Sequence, residues 1–438
     1  MDLSVLALLV SLGVLLATLA TGINIGVTLM LASLVGSYVL LSSWTAGMKI
    51  LFIQSMDVAS SYNLMVIPLF ILMGSIAAVS GIAGDLFTMF YRVFGRVKGG
   101  VAVATIGTCA GMASITGSSV ATSATLARIA LPELRRLGYQ EALSVGAITV
   151  GGTLALMIPP SIPLVLFAIF ADQSIGKMLV AGIIPGVIIG IGYTALILVR
   201  CSINPKLGPA GPRFSAQEKL SSLLSVIPFL LIVAAIVLGI LFGIWTPVES
   251  AAGATVLVAL MAFLRRKMSI GGLFSASRDA VVMSASIFII VIGSLSFGTF
   301  LAMSGTGTMI SEMVIGLELN SFSLFLLLVV IYLVLGMFME VSSILALTIP
   351  LVMPIVVGAG WNPIWFGVIL VSLMEVAAVT PPVGLNIYAV KSAVSDVGLR
   401  TIYIGSVQFW LINVLAILII YFIPDLALIL PDLMSVSK

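Results

Sequence analysis

The sequence of 438 residues contains no histidine, two cysteines and few charged residues, which make up 8% of the chain. Without imidazole, the chain has no Ser-His or Cys-His catalysis and none of the common zinc sites built on histidine. Nucleotide-binding motifs of the P-loop or GxGxxG type are also absent. Cys109 and Cys201 lie in or beside apolar segments and do not indicate a disulfide framework. These absences argue against an enzyme and against an ATP-driven pump.

Apolar residues dominate the chain, at 61% of the composition and a mean hydropathy of +1.31. Runs long enough to span a bilayer, ~20 residues each, recur from one end to the other. The clearest runs are 3–20, 22–43, 62–82, 178–199, 222–243, 246–264, 280–302 and 403–424. The first lacks a positively charged flank, so we do not expect a cleavable signal. The sequence predicts one all-α polytopic membrane unit with about ten to twelve spans.

The second half of the chain repeats the first. A double proline interrupts an apolar stretch at 157–169 and again at 379–391, and the first prolines of the two pairs are separated by 381 − 159 = 222 residues. The same displacement, with shifts of one or two residues upstream, aligns further pairs: Pro132 with Pro354, Gly138 with Gly360, Gly22 with Gly243, and Gly81 with Gly305. This regular spacing indicates an internal duplication.

Loop charges predict that the two copies are inverted relative to each other. Lysine and arginine in short loops mark the cytoplasmic side of a membrane protein. The loop after 62–82 is basic, with Arg92, Arg96 and Lys98, whereas its counterpart near 305–322 carries only Glu312 and Glu318. The linker 200–219 is basic and therefore cytoplasmic. Equivalent loops would then lie on opposite sides of the bilayer, with both termini outside.

By the same charge criterion, each of two segments begins and ends on the same side of the membrane. Basic residues bracket 101–134, so we predict a re-entrant helical hairpin with its tip at 115–125. The counterpart, 323–358, would turn near 339–345 and enter from the opposite side. Two short ordinary spans in each place would satisfy the charges equally well, and the sequence leaves that alternative open.

The predicted layout divides each half into a scaffold part and a transport part. The scaffold would comprise 1–100 and 222–322, and the transport part would comprise 101–200 and 323–438, with a cytoplasmic linker at 201–221. Helical spacing of Met48, Leu51, Phe52 and Met56 predicts an interfacial helix at 45–62. Such a helix would lie along the membrane or form a docking surface for another membrane subunit.

Interrupted helices at membrane depth are typical of secondary transporters, in which half-helix N-termini face anions and freed carbonyls coordinate cations. Small hydroxyls near the tips and breaks are the candidate cation ligands, because hard cations prefer several oxygen atoms. An alternative for each is a hydrogen bond to its own helix four residues back. The residues are Ser118, Ser119, Thr122 and Thr153 in the first half, and Ser342, Ser343 and Thr380 in the second.

Three glutamates lie within apolar segments, where ionisable groups are functional by default. Glu340 and Glu375 fall beside the second tip and the second break, and either ion or proton coupling or a structural role would explain them. Glu249 follows Thr246 with the spacing of a helix-capping box.

The candidate substrate contacts centre on the amide of Asn386, which lies just past the second double proline. Arg128 and Lys391 could neutralise an anion, although both could instead extend to the membrane interface. The full substrate set is Ser119, Thr122, Ser161, Asn386, Arg128 and Lys391.

Six stretches of this chain resemble the large membrane subunit, of DctM or SiaM type, of tripartite ATP-independent periplasmic (TRAP) transporters. They are NLMVIPLFILMG (63–74), ITGSSVATSATLARIALPEL (115–134), GGTLALMIPPSIPLV (151–165), GIWTPVESAA (243–252), GMFMEVSSILALTIPLVMP (336–354) and VTPPVGLNIYAV (379–390). The resemblance implies an elevator mechanism, Na⁺ coupling, a small four-helix membrane partner subunit and an extracytoplasmic binding protein that delivers an organic acid.

The resemblance also implies two or more Na⁺ sites when it is carried over by position. One would be formed by Ser114, Ser118, Ser119 and Thr153 with Pro159, and the other by Ser342, Ser343 and Thr380 with Gly384. Glu340 stands beside the second site, where the family often has Asp, and Arg128 stands where a small residue is expected.

The leading hypothesis is therefore Na⁺-coupled uptake of a small carboxylate or sulfonate across the cytoplasmic membrane. The alternative is a stand-alone ion-coupled anion permease of similar hairpin architecture that needs no binding protein.

Overall fold

The computed structural model describes residues 3–316 and 319–436, and within them all regular secondary structure is helical. Glu318, one of the acidic loop residues above, lies outside the described residues. The helices of the first half are α1 (Leu3–Ala20), α2 (Ile25–Leu41), α3 (Trp44–Ser60), α4 (Val66–Val79), α5 (Ile82–Phe94), α6 (Gly100–Thr116), α7 (Ser119–Arg136), α8 (Glu141–Thr153), α9 (Ile162–Phe170), α10 (Ile175–Ala181) and α11 (Ile183–Ile203). Short 3₁₀ turns at Asn63–Met65 and Leu154–Leu156 interrupt this order.

The second half begins after a basic linker and repeats most of these elements in the same order. Its helices are α12 (Ala216–Leu241), α13 (Pro247–Leu264), α14 (Ile270–Met303), α15 (Thr306–Gly316), α16 (Ser321–Phe338), α17 (Val341–Gly358), α18 (Pro363–Ala377), α19 (Leu385–Ala393), α20 (Leu399–Phe422) and α21 (Asp425–Val436).

Eight of the described helices are long and apolar enough to cross a membrane, and a ninth span arises if the bent pair of α3 with 63–79 is counted as one. Further apolar helices, such as α2 and α6, are slightly shorter. The all-α polytopic class predicted from composition is therefore confirmed.

The duplication is visible in the helix bounds. Both ends of α7 lie 222 residues before those of α17, since 341 − 119 = 222 and 358 − 136 = 222. The paired glycines Gly138 and Gly360 both have positive φ angles, of 75° and 71°. Only glycine adopts this left-handed conformation without a steric penalty, which is why both copies keep it at the same turn. The opposite orientation of the copies in the membrane stays a prediction.

Each predicted hairpin is a pair of helices joined by a two-residue turn, so the predicted tips were too wide. The re-entrant course of the two pairs stays a prediction. The first turn is Gly117 and Ser118, so most of 115–125 belongs to the start of α7. The second turn is Met339 and Glu340, and 341–345 already belong to α17. The run of serines and threonines suggested a loop, but a polar side chain at the capping position starts the helix at once.

Close packing between the two halves fixes the transport part of the fold. Helix α8 packs against α20 and α7, and α19 packs against α7 and α8. A Cβ on Gly146 of α8 would lie 2.3 Å from the carbonyl oxygen of Gly405 on α20. The two backbones approach so closely that neither position has room for a side chain. The proposed division into scaffold and transport parts is a prediction that the packing alone does not test.

The segment predicted as interfacial forms α3, which meets the helix that follows it at a bend of 67°. Four of its apolar side chains are exposed to a large extent: Trp44 by 50%, Met48 by 56%, Phe52 by 67% and Met56 by 52%. Leu51 is half-buried. An apolar helix with this much exposed surface suits either a membrane interface or a docked membrane subunit.

Candidate functional site

The N-termini of four helices meet around one internal cavity. These are α7 and α17, the second arms of the two hairpins, and α9 and α19, the helices that resume after the two double-proline breaks. Each N-terminus presents backbone N–H groups that lack partners within the helix, together with the positive end of the helix dipole. The sequence repeat therefore becomes a shared site, because each half supplies one hairpin tip and one resumed helix.

The cavity has a volume of about 80 Å³. It is lined by Gly117, Ser118, Ser119, Val120, Leu156, Ile162, Pro163, Met283, Ile287, Glu340, Val341, Ser342, Ala378, Leu385 and Asn386. Five of the residues singled out from the sequence are among them: Ser118, Ser119, Glu340, Ser342 and Asn386. A space of this size suits a compact ligand and its ions more than the roughly 300–1,000 Å³ pockets that hold drug-sized molecules.

The first tip is positioned by a glycine that contacts the first break. Gly117 has a φ angle of 55°, and a Cβ there would lie 3.0 Å from the carbonyl oxygen of Pro160. Ser118 follows and caps α7, because its hydroxyl oxygen accepts a hydrogen bond of 3.3 Å from the N–H of Ala121. The tip and the break of the first half are thus held against each other at the cavity.

The second tip carries a carboxylate where the first carries a hydroxyl. Glu340 accepts hydrogen bonds from the N–H groups of Ser342 and Ser343, at 2.8 and 3.3 Å. The hydroxyl of Ser342 also donates to Glu340 at 3.1 Å. Glu340 therefore caps α17 and at the same time contributes a negative charge to the cavity wall.

Asn386 links the second break to the first half of the chain. Its side chain is fully buried, and Nδ2 donates to the carbonyl oxygen of Thr149 on α8 over 3.4 Å. Oδ1 has no partner within the described part of the chain. The free atom is an acceptor, so Asn386 can receive a hydrogen bond from a ligand hydroxyl or bind a cation. Nδ2 carries a second N–H beside the one bonded to Thr149, so its donation to a substrate stays a prediction.

Several candidate cation ligands lie behind the cavity wall instead of on it. The hydroxyls of Ser114, Thr153 and Thr380 donate to carbonyl oxygens of their own helices, at 3.2, 2.8 and 2.5 Å. Thr122 shares a hydrogen bond of 2.8 Å with Thr116. A donating hydroxyl keeps lone pairs that can bind a cation, so these bonds do not exclude the role that the family resemblance implies.

The remaining candidates have mainly structural contacts. Ser161 caps α9 by accepting from the N–H of Leu164, and the carbonyl oxygen of Gly384 accepts from the N–H of Ile387 at 2.9 Å. Pro159, Ser343 and Gly384 belong to the breaks and the second hairpin but are not among the residues lining the cavity.

The two basic candidates lie away from the cavity. Arg128 is exposed on α7. Lys391 donates from Nζ to the carbonyl oxygens of Ser395 and Val397, at 2.6 and 2.8 Å. Lys391 therefore hydrogen-bonds to carbonyl groups just past the end of α19, and its charge has a structural role there. Their assignment as substrate contacts remains only a prediction.

The glutamates at apolar positions differ in their surroundings. Thr246 and Glu249 form the predicted capping box, in which Glu249 accepts from the Thr246 N–H at 2.7 Å and donates its own N–H to the Thr246 hydroxyl at 3.2 Å. The structural interpretation of Glu249 is thereby confirmed. Glu375 instead lies fully buried on α18, and neither of its carboxyl oxygens has a partner among the described residues.

Outside the apolar region, an ion-pair cluster ties the base of the first hairpin to the second half. Arg135 at the end of α7 pairs with Glu141 and, at 2.6 Å, with Asp396 in the connection between α19 and α20. The hydrogen bond from Arg135 lowers the pKa of Asp396, and that from Arg136 lowers the pKa of Glu133. All of these side chains lie at or near the protein surface, so each pair contributes little to stability by itself.

The sequence did not predict that α14 forms part of the cavity wall. Met283 and Ile287 lie one helical turn apart on α14 and close the cavity on its apolar side. Nothing distinguishes them locally, because both are ordinary apolar residues within a long helix that has no break. Only the packing of α14 against α17 and α9 brings them to the site.

An apolar helical bundle with paired hairpin tips and interrupted helices around one cavity defines a membrane transport protein. Comparison with known proteins makes the class specific. Residues 12–426 match the family described as the tripartite ATP-independent periplasmic transporter, DctM component. The chain belongs to this family of large permease subunits, which are transporters and not enzymes.

Two relatives illustrate the family. The chain is 32% identical to the C4-dicarboxylate TRAP transporter large permease protein DctM of Pseudomonas aeruginosa, over 88% of this chain and 90% of that protein. It is also 32% identical to the isethionate TRAP transporter permease protein DctMQ of Oleidesulfovibrio alaskensis, over 77% of this chain and 53% of that protein.

Among solved structures, the YdaH transporter of Alcanivorax borkumensis has a similar fold, with a TM-score of 0.64. The alignment covers 87% of this chain and 90% of that one at 14% identity, so the likeness concerns the fold alone.

Proposed function

We propose that the protein mediates Na⁺-coupled secondary uptake of a small organic acid, a carboxylate or sulfonate, across the cytoplasmic membrane. The observation that carries the proposal is the meeting of four helix N-termini at one cavity. Anions bind at helix N-termini because of the free N–H groups and the dipole. Helix α19 has no side-chain cap and its Leu385 and Asn386 line the cavity, while the N–H of Asn386 donates to the carbonyl oxygen of Ala378 at 3.1 Å.

The charges at the cavity support a co-transported cation. The described lining residues include Glu340 but neither lysine nor arginine. An anionic substrate in this apolar region would face a carboxylate with no fixed positive charge, and such an arrangement is strongly unfavourable. Sodium ions at the hydroxyls of Ser118, Ser119 and Ser342 would neutralise both charges, so substrate and Na⁺ would stabilise each other's binding.

The proposed partners and mechanism are supported by the description of the family. The family is described as tripartite and ATP-independent, so we propose that a small four-helix membrane subunit and a periplasmic binding protein complete the system. Substrate would arrive from the binding protein, and the two hairpins would move together against the scaffold as an elevator. The relatives above are named for C4-dicarboxylates and isethionate, which are anions of the size that this cavity suits. Both termini would face the periplasm, as the loop charges predict.

Uptake into proteoliposomes that contain the permease with its small subunit tests the proposal. With the binding protein outside and an inward Na⁺ gradient, the labelled organic acid should accumulate. Equal accumulation when K⁺ replaces Na⁺ would contradict sodium coupling. Full uptake without the binding protein would favour the alternative of a stand-alone permease. The matched control is the same vesicle with the gradient dissipated by an ionophore.

A further inference from the structure

The buried acid Glu375 is not explained by the cavity or by any capping role. Its side chain is fully buried near the end of α18, five residues before Thr380 and the second double proline. Both carboxyl oxygens lack a hydrogen-bond partner within the described residues. At the equivalent position of the first half, 375 − 222 = 153, the chain has a threonine. The acid is therefore specific to the second half and is not required by the helix itself.

No positive charge compensates this carboxyl group. Across residues 3–316 and 319–436, the ion pairs are Arg135 with Glu141 and Asp396, Arg136 with Glu133, and Arg265 with Asp85. An ionised carboxylate that is buried without a partner is so unfavourable that such groups are neutralised instead. A neutral Glu375 needs only one proton.

Tyr193 and Asn413 form a separate buried polar pair that does not hydrogen-bond to Glu375. Tyr193 on α11 lies within electrostatic reach of Glu375, and its hydroxyl donates to Oδ1 of Asn413 on α20 over 2.6 Å. Because the only proton of the phenol is directed at Asn413, its oxygen is left as an acceptor. Nδ2 of Asn413 is a buried donor without a described partner, so the cluster has capacity for a further polar contact.

The titratable groups on the helices that pack against α18 have other contacts. Tyr332 on α16 bonds to Thr348 at 2.9 Å, and Tyr403 on α20 donates to the carbonyl oxygens of Pro382 and Val383. Tyr421 packs its ring on Phe325, and Glu340 is bonded at the start of α17. The other titratable residues on these helices are Lys177 on α10, Arg400 on α20, and Asp425 and Asp432 on α21. Tyr193, on α11, is affected electrostatically by Glu375, but no hydrogen bond joins the two side chains.

We propose that the buried, unpartnered carboxyl group of Glu375 is a site that reversibly binds one proton. The site would give the permease a second ion-binding function next to the interrupted helix α18–α19. It stands on the burial of Glu375 and on its lack of a partner among the described residues, and it holds whether or not sodium is the coupling ion.

Infrared difference spectroscopy of the purified permease with its small subunit tests the site directly. Spectra at acid minus alkaline pH should show the carbonyl band of a protonated carboxyl group, shifted in heavy water. Glu375→Gln should abolish this band. Glu249→Gln is the matched control, since Glu249 is exposed and hydrogen-bonded, and it should leave the band in place. An unchanged band in Glu375→Gln, or no pH-dependent band in the wild type, would overturn the proposal.

Thermal unfolding over a pH series gives a second readout that does not depend on transport. The bound proton stabilises the folded state, so the wild-type melting temperature should fall as rising pH removes that proton. Glu375→Gln is a neutral isostere and should flatten this dependence. A wild type and a Glu375→Gln variant with the same pH profile would contradict reversible proton binding.

Discussion

The two halves of the chain share most of their helices but place different chemistry at equivalent points. The first tip is capped by Ser118, whereas the position 222 residues later, 340 − 118 = 222, is Glu340. Thr153 near the first break corresponds in the same way to Glu375. Pro159 and Pro160 are buried, whereas Pro381 and Pro382 are exposed. The duplication thus supplies the geometry of the site, and the second half alone supplies its acidic residues.

This difference suggests a division of roles. The first half holds its tip tightly against a buried break, through Gly117 and Pro160. The second half has the acid at the tip, the buried acid behind the break, and the uncapped start of α19. We therefore expect changes in the first half to affect mainly the shape of the site, and changes in the second half to affect mainly its ion dependence.

The largest effect is expected for Gly117→Val, compared with Met339→Val at the other tip. Gly117 has a φ angle of 55°, a region in which a β-branched residue is strained by roughly 1–3 kcal/mol, and its Cβ would also press on Pro160. Met339 has an extended backbone, with a φ angle of −118°, that accepts valine. Gly117→Val should reduce uptake by more than about tenfold and lower the melting temperature. Equal losses of uptake and of melting temperature in both variants would show that the two tips have the same steric requirements.

A large effect on transport without loss of folding is expected for Asn386→Ala. The substitution removes the free acceptor at the cavity and the bond to Thr149 that joins the two halves. Loss of such a buried polar contact costs about 1–3 kcal/mol, so uptake should fall by roughly tenfold or more. The control is Asn204→Ala, since Asn204 is exposed and remote from the cavity. Wild-type uptake by Asn386→Ala would remove this residue from the site.

Asn386 and much else in the fold and the site could be predicted from the sequence. The breaks, the hairpins and the membrane class follow from strong local signals, because proline, glycine and long apolar runs have few alternative structures. The short length of the two tips could not be predicted, because the polar residues there have the composition of a loop. In the structure, Ser118 and Glu340 instead cap helices. Met283 reaches the cavity only through packing between distant helices, and no local pattern encodes such a contact.

An intermediate effect, confined to ion dependence, is expected for Glu340→Ser, which gives the second tip the residue of the first. Serine keeps a cap on α17, so the melting temperature should change little. The lost negative charge at the cavity should weaken the apparent Na⁺ affinity by about tenfold, since charges a few ångströms apart in protein interact by a few kcal/mol. Uptake measured against Na⁺ concentration gives this value. An unchanged Na⁺ dependence would mean that Glu340 serves only as a cap.

The smallest effect is expected in the scaffold, where Asn24 and Thr246 are another equivalent pair, since 246 − 24 = 222. Asn24 caps α2 through one bond to the N–H of Gly26, whereas Thr246 forms a reciprocal box with Glu249. Alanine at either position should lower the free energy of unfolding by about 1 kcal/mol. The loss should be larger at Thr246, because Glu249 would also lose part of its restraint. Uptake at saturating substrate should be unchanged in both variants, because both caps lie outside the cavity lining. Chemical denaturation of the two variants in parallel measures both losses in the free energy of unfolding. A greater loss in Asn24→Ala than in Thr246→Ala would show that the capping box adds no stability beyond a single cap.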